Sequence, residues 1–219
     1  MRNRPAFAAA LLAALLLLSC LAGAAGAAGA ETRLMVVSDL HYLAPELYRG
    51  SGLFLRSLRG GDGKITQYGG ELLSALYREI LREKPDALVV TGDLTFNGEK
   101  ASHAALADWF RSVEDAGVPV LVIPGNHDIN TRPAAFSGES YTAAETVTPE
   151  EFAALYAGFT ERGDAGFSFA AKVSGSLWVA LADVSWYQDG AQTFGVFTGR
   201  HEAWLRACWK APGRRARGW

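Results

Sequence analysis

The sequence predicts an α/β fold built on a parallel sheet, and three observations predict it. Short, apolar, β-branched runs recur at "RLMVV", "DALVV" and "VPVLVI". Between them lie two stretches of helical periodicity, over residues 69–84 and 99–116. Continuous apolar strands alternating with amphipathic helices read as β-α-β-α-β, a parallel sheet covered on both faces.

The chain has 219 residues, enough for one core of about 150–200 residues. The fold is expected to begin at residue 33, because what precedes it has another character. Arg2 and Arg4 give a positive start, and "AFAAALLAALLLL" follows without a polar interruption. That run has the length of a signal-peptide core and is too short to span a bilayer comfortably. "LLSC" then places a small residue before Cys20, which resembles the lipobox of bacterial lipoproteins. The expected organisation is a lipoprotein-type signal peptide over 1–19, then a lipidation site and Ala/Gly linker over 20–32. The Ala/Gly stretch also offers A-x-A sites for ordinary signal cleavage. The expected location is the outer face of the cell membrane through lipid on Cys20, or a secreted or periplasmic one. With Cys20 lipidated, Cys208 is the one remaining cysteine and no internal disulfide forms.

"RLMVV" reads as a buried strand. Residues 43–68 lack clear periodicity and hold five glycines, so they are expected to form a long loop, a flap beside His41. The first helix carries Leu72, Leu73, Leu76, Ile80 and Leu81 on one face and closes at Pro85. The second turns Leu106, Trp109, Phe110 and Val113 inward, with Gly117 as its C-terminal stop. A third, near 149–157, opens on Thr148, Pro149 and Glu151, a capping box with proline at the first helical position. "FSFAAKV" and "SLWVALADV" flank Ser174 and Gly175 as a hairpin. A last helix near 200–209 carries Trp204, Leu205 and Cys208, and an irregular basic tail is assigned to 206–219. Formal net charge is −2. That gives no basic footprint for nucleic acid, and the tail cluster of Lys210, Arg214, Arg215 and Arg217 is too short to supply one.

The chemistry lies where the three strands end. The first gives "VVSDLHY", with Asp39 and His41; the second gives "VVTGDLTFNGE", with Asp93; the third gives "IPGNHD", with Asn126 and His127. Ligands in open α/β sheets bind outside the carboxyl ends of the strands, and parallel strands point those ends one way. Five side chains from separate segments therefore converge on one crevice. Oxygen and imidazole donors without thiolates suit Mn, Fe or Zn ions. Asp39 and His41, two residues apart, share one side of an extended segment. Asp93, in the middle, is placed to bridge two ions. Gly92 and Gly125 let the backbones approach closely. His103 reads as a surface or loop-contact histidine. Asp183 ends a strand that faces either the core or the crevice. The tryptophans read as core and rim.

"SDLH", "GDLTFNGE" and "PGNHD" resemble, in order, the first three motifs of the calcineurin-like metallophosphoesterases. The similarity is close through Asp128 and looser to about residue 205. It implies the family's α/β/β/α sandwich, here as its N-terminal portion over 33–205. It also implies a metallophosphoesterase, hydrolysing phosphomonoester or phosphodiester bonds at a dinuclear centre of two divalent metal ions. By the resemblance, Asp39 and His41 would ligate the first metal, Asp93 would bridge, and Asn126 would bind the second. His127 would serve the scissile phosphate, and Asp128 would orient His127.

One part of the pattern is missing. The family carries two later motifs, Gly-His and Gly-His-x-His, which complete both metal shells. The histidines of this chain are His41, His103, His127 and His201, and no Gly-His pair follows the third strand. The expectation is a domain incomplete at its C-terminus, with a weak second metal site unless His103 or His201 substitutes. The alternative function is a catalytically inactive remnant, or a surface protein that binds metal or phosphate.

Overall fold

Along the second and third apolar runs, successive side chains point to opposite faces, and both faces find partners. Leu88, Val90, Val120 and Val122 join one buried cluster; Val89, Leu121 and Ile123 join another. This split follows from the two-residue period of a strand. It requires a sheet buried on both sides, as continuous apolar runs predict. In the structure, a computed structural model, residues 31–60, 63–175, 177–187, 194–210 and 216–217 are described. The signal peptide, Cys20 and nearly all of the Ala/Gly linker lie outside them. No helix among the described residues is long and apolar enough to cross a membrane.

Strands β1 (Leu34–Val37), β2 (Ala87–Val90) and β3 (Val120–Val122) form a parallel sheet in that order, with Leu34 opposite Ala87 and Leu88 opposite Val120. Helix α1 (Gly52–Arg59) precedes α2 (Gly69–Glu83), which joins β1 to β2, and α3 (Lys100–Asp115) joins β2 to β3. Right-handed crossovers that advance in one direction put their helices on the same face. Leu73 and Ile80 of α2, and Leu106, Phe110 and Val113 of α3, accordingly enter one cluster with Leu88 and Val90. The opposite face is covered by a second sheet. Strands β6 (Phe169–Lys172) and β7 (Trp178–Leu181) pair antiparallel and bring Phe169, Ala171 and Leu181 against Val89, Leu121 and Ile123. The layers run helix, sheet, sheet. Helix α4 (Pro149–Leu155) adds Phe152 to the helical side. Its capping box forms as expected: Glu151 N–H donates to Thr148 Oγ1 at 3.2 Å, and Thr148 N–H donates to Glu151 Oε2 at 2.9 Å.

Several expectations change. β1 is not fully buried: it is the edge of its sheet, the β6–β7 layer stops short of it, and Val36 is 60% exposed. Leu72 and Leu81 of α2 are exposed too, because they lie off the stripe of Leu73, Leu76, Tyr77 and Ile80 that packs on the core. Residues 43–68 are not an open loop. They hold a 3-10 turn at Pro45–Leu47, helix α1 and a second turn at Thr66–Tyr68. Ser51 Oγ caps α1 by accepting from Phe54 N–H at 3.2 Å, and Phe54 is buried among Tyr48, Phe96 and Phe136. The hairpin β4 (Ala134–Ser137) and β5 (Ser140–Ala143), which supplies Phe136, was not anticipated. The tail is more regular than expected. Helix α5 runs Gly199–Lys210, and a two-residue strand β8 (Ala216–Arg217) pairs parallel with Ala170 and Ala171. Trp209 is almost fully exposed, contrary to a core or rim placement.

Candidate metal centre

The loop after each parallel strand keeps to its neighbour beyond the sheet. Asp39 N–H donates to Gly92 O at 3.1 Å, His41 N–H to Asp93 O at 3.0 Å and Tyr42 N–H to Leu94 O at 2.9 Å. This extra pairing carries the first loop alongside the second and sets Asp39 and His41 beside Asp93. His41 Nε2 lies 3.6 Å from Asp39 Oδ1 and 3.9 Å from Asp93 Oδ2. The geometry that achieves this is not the pleat of an extended segment. Asp39, His41 and Asp93 have φ of 55°, 41° and 50°, left-handed backbone that costs a non-glycine residue of order 1 kcal/mol or more. Three such residues meeting at one point mark where the fold bends its backbone to aim side chains.

The second and third loops meet through glycine. Gly92 has φ of 102°, and a Cβ on it would come within 2.7 Å of Gly125 N. A Cβ on Gly125 would in turn strike the amide and carboxylate of Asp93. Both glycines are therefore required for this approach, as the sequence suggests. His127 N–H donates to Asp93 Oδ1 at 3.0 Å, which ties the third loop to the central carboxylate.

One ligand atom from each of His41, Asp93 and His127 lies within 4.8 Å of the others. The His41 and His127 rings meet edge to face, with centroids 4.9 Å apart. Asp39, Asp93 and Asn126 line an adjoining cleft of about 250 Å³. Burial is the main cause that pushes the His41 pKa down, with the nearby Lys64 charge adding to it, so its ring is held neutral and available to a cation. Two imidazoles and a carboxylate converging at coordination range fit a divalent ion of the Mn, Fe or Zn type. The cleft lining points the same way. It presents two carboxylates and no lysine or arginine among the described residues, so a phosphate anion is repelled unless cations intervene.

Asp128 does not orient His127. Its buried carboxylate accepts from Leu94 N–H at 3.1 Å, Thr95 N–H at 3.0 Å, Thr95 Oγ1 at 3.0 Å and Gly125 N–H at 2.7 Å. With those four donors it clamps the second loop to the third. Burial pushes its pKa up to about 6, against the pull of these donors. The group that holds His127 is the carbonyl oxygen of Phe96, 2.8 Å from Nδ1. A main-chain carbonyl leaves no trace in side-chain identity, which is why the sequence does not reveal it.

His103 is not at the surface. It is fully buried, with Nε2 2.8 Å from Asp128 O and Nδ1 2.8 Å from Tyr156 Oη. The carbonyl accepts only, so Nε2 carries the proton and Tyr156 donates to Nδ1. His201 is equally committed: Nε2 lies 2.7 Å from Asp183 O, and Nδ1 accepts from Thr198 N–H at 2.9 Å. Neither replaces a missing metal ligand. Asp183 is buried away from the donor group and accepts from Phe167 N–H, Ser185 N–H and Tyr187 Oη. Sequence reading also passed over Val184 and Phe194, which form the apolar wall of the cleft.

The chain is similar in sequence to known proteins. The family model described as calcineurin-like phosphoesterase matches residues 32–215. A probable cyclic nucleotide phosphodiesterase of Synechococcus sp. is 36% identical over 74 residues, 34% of this chain and 28% of that protein. A probable glycerophosphodiester phosphodiesterase of Arcobacter nitrofigilis is 35% identical over 71 residues, 30% of this chain and 25% of that protein. The aligned stretch thus spans about a quarter of either curated relative.

Proposed function

The chain belongs to the calcineurin-like phosphoesterase family, and from that premise we propose that it hydrolyses phosphodiester bonds with divalent cations held around Asp93. The observation that carries this reading is the meeting of His41, Asp93 and His127, with Asp39 3.6 Å from His41, out of three separate strand-end loops. Both curated relatives are named as phosphodiesterases, which favours a diester over a monoester. The cleft lining favours it too, because a diester brings one negative charge to Asp39 and Asp93 where a monoester brings up to two. Two cations, when bound, neutralise phosphate charge and activate water.

The chain's own residues do the rest. Asp39, His41 and Asp93 would hold the first cation, and Asp93 with Asn126 the second. His127 keeps Nδ1–H on Phe96 O, which leaves Nε2 as the nitrogen that would serve the reacting group. Protonated there, it delivers the proton to the leaving oxygen as the phosphorus–oxygen bond breaks. Water supplies the hydroxide that bonds to phosphorus, and its displaced proton returns to solvent.

Manganese-dependent hydrolysis of bis(p-nitrophenyl) phosphate tests the proposal. Activity that chelation and Asp93→Asn both abolish supports it; a metal-loaded protein that leaves the diester intact favours the binding-only alternative.

We also propose export, on the charged start, the 6–18 apolar run and the small residue before Cys20. Metabolic palmitate labelling in a bacterial host should disappear in Cys20→Ala. Unchanged labelling and processing would exclude the lipoprotein reading.

A further inference from the structure

One wall of the cleft is apolar. Phe194 and Val184 line the cleft that Asp39, Asp93 and Asn126 also line. Phe194 is 55% exposed and Val184 36% exposed, so both present carbon to the cavity rather than to the core. The wall is anchored. Ser185 and Gly195 form an antiparallel bridge, and Val196 N–H donates to Val184 O at 2.7 Å. A Cβ on Gly195 would come within 2.8 Å of Val184 O, so only glycine permits this approach. Ser185 Oγ donates to Pro124 O at 3.3 Å, which joins the wall to the loop that carries Asn126. Phe194 is therefore set at a fixed place beside the predicted metal ligands.

We propose that Phe194 and Val184 form the subsite for the retained ester group of the substrate, and that this group is aromatic or otherwise apolar, an aryl ring or a nucleobase. The inference rests on the phosphodiesterase reading above. His127 does not line this part of the cleft, and the leaving oxygen belongs beside His127; the ester group that stays on phosphorus is left to face Phe194. No lysine or arginine lines the cleft among the described residues, so an ester group bearing its own phosphate or carboxylate finds no partner. A flat ring stacked on Phe194 removes apolar surface from both, and such stacking is worth about tenfold in affinity.

The test uses the full chain loaded with Mn²⁺. Bis(p-nitrophenyl) phosphate and methyl p-nitrophenyl phosphate share a leaving group and differ in the retained one. Wild type should prefer the bis-aryl ester in kcat/KM, and Phe194→Ala should reduce that preference about tenfold, mostly through KM. Calorimetric binding of diphenyl phosphate against dimethyl phosphate gives a second readout that needs no turnover. Diphenyl phosphate should bind more tightly, and Phe194→Ala should erase the difference. An unchanged preference in both measurements overturns the subsite. If neither diester is hydrolysed, the phosphodiesterase reading fails, while the binding arm still decides the role of Phe194.

Discussion

His127 Nδ1 lies 2.8 Å from the carbonyl oxygen of Phe96, three residues beyond Asp93. The carbonyl can only accept, so it fixes the proton on Nδ1 and directs Nε2 toward His41 and Asp93. The loop that supplies the central carboxylate thus also sets the tautomer of the histidine across from it. His127→Gln removes the nitrogen that can carry a proton to the leaving oxygen. Diester hydrolysis should fall by about 10²–10⁴, the scale of one acid–base group. Manganese affinity should fall far less than in Asp93→Asn. Equal loss of metal and rate in both variants would make His127 a ligand first.

His103 gives the fold an acid-sensitive brace. Burial pushes its pKa down to about 4, from the ordinary 6.5. The unfolded chain takes up a proton as pH falls through 6.5, and the folded one resists until about 4. The neutral ring therefore adds stability that is full above pH 6.5 and is lost between 6.5 and 4, in total about 3 kcal/mol. Glu99 and Asp128 act in the opposite sense, with burial pushing them up to about 7 and about 6. Comparison with His103→Gln cancels them, since both proteins keep them. Urea unfolding at pH 7 should show the variant weaker by about 1–3 kcal/mol, from the lost hydrogen bonds. At pH 4.5 the gap should narrow or close. A gap that widens on acidification would mean that His103 is protonated in the native state.

Phe54 decides whether residues 43–68 are a detachable flap. Its ring is buried and meets Tyr48, Phe96 and Phe136 at centroid distances of 4.6, 5.8 and 5.1 Å. Phe54→Ala should cost about 3–5 kcal/mol, the usual scale for removing a buried phenyl ring. It should also loosen Phe96, and with it His127. A melting temperature unchanged by Phe54→Ala would return this segment to the role of a mobile cover.

How much of this was legible in the sequence follows from where the physics is local. Leu88, Val89 and Val90 announce a doubly covered strand because apolarity on both faces can be read residue by residue. Thr148 and Glu151 announce their capping box because both partners lie within three positions. Asp39, His41, Asp93, Asn126 and His127 stand next to strand ends, so the crevice could be located. What the sequence hides is which backbone atoms meet. Phe96 O on His127, and the Leu94 and Thr95 amides on Asp128, connect loops more than 30 residues apart through main-chain groups. The positive φ values at Asp39, His41 and Asp93 are hidden likewise, since aspartate and histidine occupy extended backbone equally well. Helix α1 is hidden because it is short and set among glycines, Gly50, Gly52 and Gly60, that suppress the periodic signal, although Phe54 and the Ser51 cap specify it.

Metal stoichiometry follows from counting uncommitted donors. Of the four histidines, His103 has both ring nitrogens bound to Asp128 O and Tyr156 Oη, and His201 has both bound to Asp183 O and Thr198. His41 and His127 remain, both within 4.8 Å of Asp93, and the proton-donor role assigned to His127 leaves His41 as the imidazole ligand. A first divalent cation held by Asp39, His41 and Asp93 would have nitrogen and carboxylate donors at once. A second, on the Asn126 side, has Asp93 already shared and one neutral amide in the cleft. Asp39 also lines this cleft, but it is assigned to the first cation and its carboxylate already accepts a hydrogen bond from Ser38 Oγ. Borderline ions such as Mn²⁺ or Zn²⁺ bind more weakly where imidazole is absent. Calorimetric titration of this chain with Mn²⁺ should therefore give one tight site and a second at least about tenfold weaker. Asp93→Asn should remove both, while Asn126→Ala should remove only the weak one. Diester hydrolysis should follow occupancy of the weak site, because a two-cation clamp requires both positions filled. Two sites of equal, high affinity would show that further donors reach the cleft, and full activity at one equivalent of metal would show that a single cation suffices.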